Sequence, residues 1–235
     1  GAPPGALGAR RALGATRQAR LTWYFSRGIA AYEAKALEKS ERFLSAALEL
    51  APEDDVILCR LADTCYARCA AASGEAREAL EARTLELYRE AVRVNPASSL
   101  GHNGLSLFQD GDDAKRRYLL RAVALDRGNA YALTNLAMRL LDDDEGMGEV
   151  CLALLKRALA INPNLFYARP TIAGLHLQFA RTARTRREVA AQLREARAVL
   201  AEHVGRRPED TDSGRLLDQL VKALEMFDDQ TAQAP

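Results

Sequence analysis

The 235-residue sequence predicts an all-α fold, an α-solenoid of about five helix pairs closed by a C-terminal capping helix. Three observations carry that expectation. First, one short ending recurs along the chain. It is written AALELAPE to Glu53, EAVRVNPA to Ala97, RAVALDRG to Gly128 and RALAINPN to Asn164, with a weaker echo, HVGRRPED, to Asp210. Second, the positions equivalent to its proline are Pro52, Pro96, Arg127, Pro163 and Pro208, spaced 44, 31, 36 and 45 residues apart. A recurring period of this size is the signature of a stacked repeat. Third, alanine and leucine dominate while aromatics are only 6%, and both dominant residues lose little freedom in a helix.

The elements follow in order. Helices are expected near 17–36 and 38–50, 54–72 and 75–94, 98–109 and 112–126, 130–141 and 146–161, and 165–183 and 186–204, with a lone helix near 211–228. In the first pair, YFSRGIAAYEAK carries the small Gly28 mid-helix, and LEKSERFLSAALELAP places Leu44, Ala47 and Leu48 on one stripe. Each proline stops a second helix. DGDD at 110–113 turns the short third pair. The last helix sets Leu216, Leu217, Leu220, Leu224 and Phe227 at helical spacing against an acidic face of Asp218, Glu225 and Asp228. Such a helix suits the shielding of a last apolar face. The two long spacings exceed 34 residues by about ten, and the extra chain is expected near 70–80 and 181–188, shared between both helices of each pair.

The pattern Tyr24, Gly28, Tyr32 followed by Ala47, Leu48 and Pro52 resembles the tetratricopeptide repeat. That family pairs a first helix with an aromatic–small–aromatic pattern and a second helix ending Ala-Leu-x-x-x-Pro. In the last unit His203 and Val204 stand in place of Ala and Leu. The resemblance implies a right-handed superhelix whose first helices line a concave groove for protein segments. Carried over, the groove positions are Phe25, Ile29 and Tyr32, then Cys59, Arg60, Asp63 and Tyr66. Later units supply Asn103, Leu107, Tyr131, Thr134, Asn135, Met138, Tyr167 and Thr171. Relatives that bind chaperone tails clamp a terminal carboxylate with lysine, asparagine and arginine. Here Phe25 and Ile29 hold the first clamp positions and no lysine is in the set, which argues against that subgroup.

Net charge is +1, so the whole chain makes no electrostatic case for nucleic acid. The distribution is uneven. Residues 1–31 hold five arginines and no acid; residues 165–207 hold nine arginines against three glutamates; residues 208–235 hold seven acids against two bases. Residues 1–16 read as a basic Gly/Ala/Pro/Arg arm, 17–209 as the helical repeats and 210–235 as the capping helix and acidic tail. An acid-free, arginine-bearing N-terminus is of the kind seen in transit peptides, pointing to mitochondrion or chloroplast, with a cytoplasmic location as the alternative. No apolar run reaches the roughly 18–20 residues of a membrane helix, which leaves peripheral contact as the membrane option. At the second long turn, Arg181, Arg184, Arg186 and Arg187 form a basic ridge, expected to dock on an acidic partner or on anionic headgroups.

No catalytic set is legible. His102, His176 and His203 fall in different repeats, and His176 is expected in the core. DGDD and DDDEG (142–146) lack the glycine and glutamate spacing of a calcium loop. Cys59, Cys65, Cys69 and Cys151 have no zinc spacing and are expected as buried thiols. The expectation is therefore a non-catalytic scaffold without metal or cofactor, serving as an accessory subunit of a larger assembly. A free peptide-binding adaptor or co-chaperone is the alternative.

Overall fold

The computed structural model describes residues 4–143 and 145–232, and side chains within 16–142 and 146–226. Among the described residues there are eleven α-helices, one 3-10 turn and no strand. They form two compact units, one ending at Asp126 and one beginning at Arg127.

The first unit holds α1 (Pro4–Glu33), α2 (Leu37–Leu50), α3 (Asp55–Cys69), α4 (Gly74–Val94), α5 (Ser99–Ser106) and α6 (Asp112–Leu125). Successive helices pair as α1 with α2, α3 with α4 and α5 with α6, and the pairs stack through α2 on α3 and α4 on α5. The second unit holds α7 (Ala130–Asp143), a 3-10 turn (Glu145–Met147), α8 (Gly148–Ile161), α9 (Ala168–Thr182), α10 (Arg186–Arg206) and α11 (Thr211–Ala232). There α7 pairs with α8, α9 with α10, and α11 lies on α10.

The repeated ending now has a local reason. The residue after each second helix, Ala51, Asn95, Asp126, Asn162 or Arg207, donates its N–H to the carbonyl of Ala47, Ala91, Ala122, Ala158 or His203, at 2.8–3.0 Å. Each bond satisfies one of the carbonyls a helix end leaves open. The four alanines are wholly buried. The next first helix is then started by a capping side chain: Asp54 accepts from Val56 and Ile57 N–H, Ser98 from Gly101 N–H and Asn129 from Ala132 N–H.

Small residues set how closely helices approach. A Cβ on Gly28 would lie 2.7 Å from Leu44, and one on Gly104 would lie 2.2 Å from the Tyr88 ring. Beside Gly28, Ser40 donates to the Gly28 carbonyl at 2.9 Å and meets Thr64 at 3.1 Å, so α1, α2 and α3 share a buried polar thread. The apolar cores are Leu44–Leu61–Cys65 and Leu58–Cys59–Ala62–Tyr88–Ala91–Leu105 in the first unit. In the second, Ala173, Ala196, Leu200 and Leu220 form a core that Leu216 and Leu217 flank. The last helix thus buries the leucine stripe read for it, while Asp218 and Glu225 stay exposed. Phe227 and Asp228 lie outside the residues with described side chains.

Two expectations need correcting. The extra chain of the long repeats is not shared between both helices. α4 and α10 have 21 residues each, against 14 in α2, α6 and α8, whereas the partnering first helices α3 and α9 have 15. Seven added residues lengthen a helix by about 10 Å at 1.5 Å per residue. The position of the break decides this: Gly74, at φ +56°, opens α4 almost as soon as α3 ends. Thr185 and Glu188 do the same for α10 by a capping box. The second concerns 4–16, read as an arm, which continue α1 without interruption. Their alanines, arginines and leucines are good helix formers, and Pro4 sits where a first turn tolerates it. Beyond them, Arg17 donates to the Leu50 carbonyl at 2.6 Å, tying α1 to the end of α2.

Candidate partner-binding surface

In the first unit, α3 packs against both α1 and α5, so the first helices of the pairs adjoin. Of the positions read from α1, Tyr32 is exposed, Ile29 is half-buried, and Phe25 packs on the Leu44–Leu61–Cys65 core. On α3, Arg60 is half-buried and pairs with Asp63 at 3.1 Å. Asp63 also accepts from the Tyr88 hydroxyl at 2.6 Å, a contact between α4 and α3. Burial pushes the Asp63 carboxyl up, against the pull of Tyr88 and Arg60. Burial and the neighbouring carboxylate push the Tyr88 phenol up as well. Cys59 is wholly buried and 3.9 Å from Ser98, so it does not line a surface as its family position implied. Its small thiol fills the interface between α3 and α5.

Tyr66 is 45% exposed and meets Phe108 edge-on at 6.3 Å. Together with Cys69, Ala70 and exposed Leu107 these rings line a depression of about 420 Å³, at whose rim Arg77 and Glu81 pair at 2.8 Å. Asn103 on α5 is half-buried. Burial pushes the Cys59 thiol up to about 12 and Cys65 up to about 11, and raises Cys69 and Cys151 too, the direction that lowers the thiolate share.

In the second unit, Tyr131 (47% exposed), half-buried Asn135 and exposed Met138 share one face of α7. Thr134 points inward instead and donates to the Ala130 carbonyl at 2.9 Å, so it too leaves the groove set. Tyr167, 61% exposed, precedes α9 and meets Phe166 at 4.8 Å. Phe166 lies against the buried His203, with the Arg207 guanidinium over its ring. A second depression, about 590 Å³, opens between the end of α7 and α9, lined by Leu141, Thr171, Gly174, Leu175, Gln178 and Arg181 among others. Arg181, Arg184, Arg186 and Arg187 are all exposed at the α9–α10 turn.

The histidines are structural in placement. His176 is buried and bonded through Nδ1 to Gln192 at 2.7 Å. His203, which replaces the alanine of the repeated ending, is buried and bonded to Asp210 at 2.8 Å. Among the described residues no group of three histidine, cysteine or acidic side chains could hold a metal ion. No helix among them is long and apolar enough to cross a membrane. Family-position reasoning missed Phe108 and Phe166, which lie off the repeat's motif positions, and the surface role of Gly174, whose signal was a glycine standing in a helix interior.

Neither a protein-family model nor a curated protein matches the sequence. Solved structures do resemble the fold. A thermophilic TPR protein of Thermus thermophilus superposes with TM-score 0.57 at 18% identity, over 86% of this chain and 98% of its own. PilF of Pseudomonas aeruginosa gives 0.52 at 18%, over 93% and 100%. The human IFIT1 dimer with m7Gppp-AAAA gives 0.57 at 19%, over 84% of this chain and 46% of that one. With the five helix endings and the close-approach glycines, these likenesses make the fold of this chain the tetratricopeptide-repeat fold.

Proposed function

We propose that this chain is a non-catalytic scaffold that binds protein segments on the first helices of its repeats, as an accessory or assembly subunit of a larger complex. One observation carries the reading. Every exposed aromatic among the described residues, namely Trp23, Tyr32, Tyr66, Tyr131, Phe166 and Tyr167, lies on the first helix of a pair or directly before it. Exposed aromatic side chains leave a large apolar area in water and are favoured where a partner will cover them. The aromatics of the second helices, Phe43, Tyr88 and Tyr118, are buried or half-buried instead. The acid-free run of five arginines in residues 1–31 supports an organellar setting for that complex.

The test replaces Tyr66 and Tyr131 with alanine in the full chain and measures both capture of native partners and thermal unfolding. Binding should fall while the melting temperature stays within a few degrees of wild type, because both rings are about half exposed. A sharp fall in melting with binding intact would make them packing residues and remove the reading. A stable complex purified with the wild-type chain supports the subunit role; a monomer that binds isolated peptides with micromolar affinity would replace it with a free adaptor.

A further inference from the structure

Glycine weakens a helix interior, and a helix that keeps one does so where something else needs the space. Four helical glycines here meet that condition within the protein. A Cβ on Gly28, Gly101, Gly104 or Gly148 would fall 2.2–2.8 Å from Leu44, Val92, Tyr88 or Phe179. Gly174 does not. It stands in the middle of α9, yet nothing lies within 4 Å of the position its Cβ would take. Gly205 and Gly214 are also open, but they lie close to helix ends, where glycine costs little. The space over Gly174 is the 590 Å³ depression between α7 and α9.

The charge around it is one-sided. Arg181 lines the depression, and Arg184 and Arg187 follow at the α9–α10 turn, all exposed. Among the described residues their guanidinium groups form no ion pair or hydrogen bond. The carboxylate nearest in sequence is occupied: Glu188 accepts from the backbone N–H of Arg184 at 2.9 Å and of Thr185 at 3.2 Å. Asp142, at the end of α7, pairs with Arg139 at 3.7 Å.

We propose that the depression over Gly174, with its rim of Arg181, Arg184 and Arg187, binds an acidic segment of a partner protein. One apolar side chain enters the depression, and carboxylates flanking it meet the guanidiniums. The proposal rests on the scaffold reading and names the partner's chemistry at one place on it. Free guanidinium forks match carboxylates two bonds at a time. A membrane surface fits less well, because interfacial docking sinks large apolar side chains beside the basic ones. None is exposed between residues 168 and 207. Single-stranded nucleic acid fits less well too, since it stacks on aromatic platforms and no aromatic lines this depression.

The experiment uses the full chain and a fluorescein-labelled peptide of sequence Glu-Asp-Leu-Glu-Asp, read by anisotropy. Saturable binding is expected, and weakening by about tenfold or more when the acids become lysine or the leucine becomes glycine. The Arg184→Glu/Arg187→Glu double variant should lose binding to the same extent, and added salt should mimic it on wild type. Gly174→Leu projects an apolar side chain into the depression, and its Cβ meets no neighbour within 4 Å. It should hold or raise the melting temperature while abolishing binding. Equal binding by Gly174→Leu and wild type, equal binding of the lysine peptide, or no binding at all overturns the proposal. So does a preference of the arginine rim for an oligoadenylate or for phosphatidylserine vesicles over the peptide. If native partners are still captured through Tyr66 and Tyr131 when the peptide fails, this inference falls and the scaffold reading stands.

Discussion

His203 shows how a departure from a repeat can carry its own chemistry. Where the other endings bury an alanine, this one buries an imidazole, which needs a partner; Asp210 supplies it at 2.8 Å. Asp210 also accepts from the Ser213 N–H at 3.1 Å and from its hydroxyl at 2.9 Å, at the start of α11. First the His203 bond and then the Ser213 bonds hold the Asp210 carboxyl down, from 3.8 to about 2. A carboxyl lowered in the folded state adds stability above its unfolded value and loses it as pH falls through the folded one. Wild type should therefore lose stability between pH 3.8 and about 2, relative to an Asp210→Asn variant. Urea midpoints measured across that window check this; parallel curves for the two proteins would refute it. Gly104 and Tyr88 make a second residue-scale prediction. A methyl on Gly104 collides with a ring pinned by its bond to Asp63. Gly104→Ala should cost about 1–3 kcal/mol by overpacking despite its better helix propensity. Tyr88→Phe, which leaves the Asp63 carboxyl short of a donor, should cost about 1–3 kcal/mol. Denaturant unfolding measures both.

At the scale of elements, α11 carries the clearest consequence. Leu220 belongs to the same core as Ala173, Ala196 and Leu200, and Leu216 and Leu217 pack on it. Ending the chain after Glu209 would uncover the α9–α10 pair and also remove the partner of His203. The truncated protein should melt several degrees lower and bind a hydrophobic dye that the intact chain does not, as expected of a stacked array without its cap. A truncation that melts like wild type would mean that α11 shields nothing. The long second helices α4 and α10 show a different property of elements. Their added residues precede the repeated ending, which keeps its backbone bond in both, Asn95 N–H to the Ala91 carbonyl and Arg207 N–H to the His203 carbonyl.

Across the whole molecule, stability comes from neighbours. Tyr88 and Ala91 of α4 share a core with Leu105 of α5, so the pairs of the first unit cannot be parted without opening it. Cleavage between Pro96 and Ala97 should expose that face. The fragment ending at Pro96 is expected to bind a hydrophobic dye and to melt below the full chain, by calorimetry; a fragment as stable as the intact protein would show that the pairs fold independently.

Much of this architecture is legible in the amino-acid order. Helix starts, stops and pairings follow from periodicity, prolines and caps, because these are local interactions between residues a few positions apart. Ten of the eleven helices begin within three residues of where the pattern places them, and α1 alone begins much earlier. The family positions Tyr32, Tyr66 and Tyr131 are exposed on the first helices, and Tyr167 is exposed directly before one. What the order alone did not determine is which neighbours a side chain meets. Cys59 and Thr134 occupy family groove positions and turn inward, while Phe108 and Phe166 reach the surface without a motif. A glycine reads the same in sequence whether a ring or open space lies above it. Only packing distinguishes Gly104, closed by Tyr88, from Gly174, open to solvent, because those neighbours come from other helices.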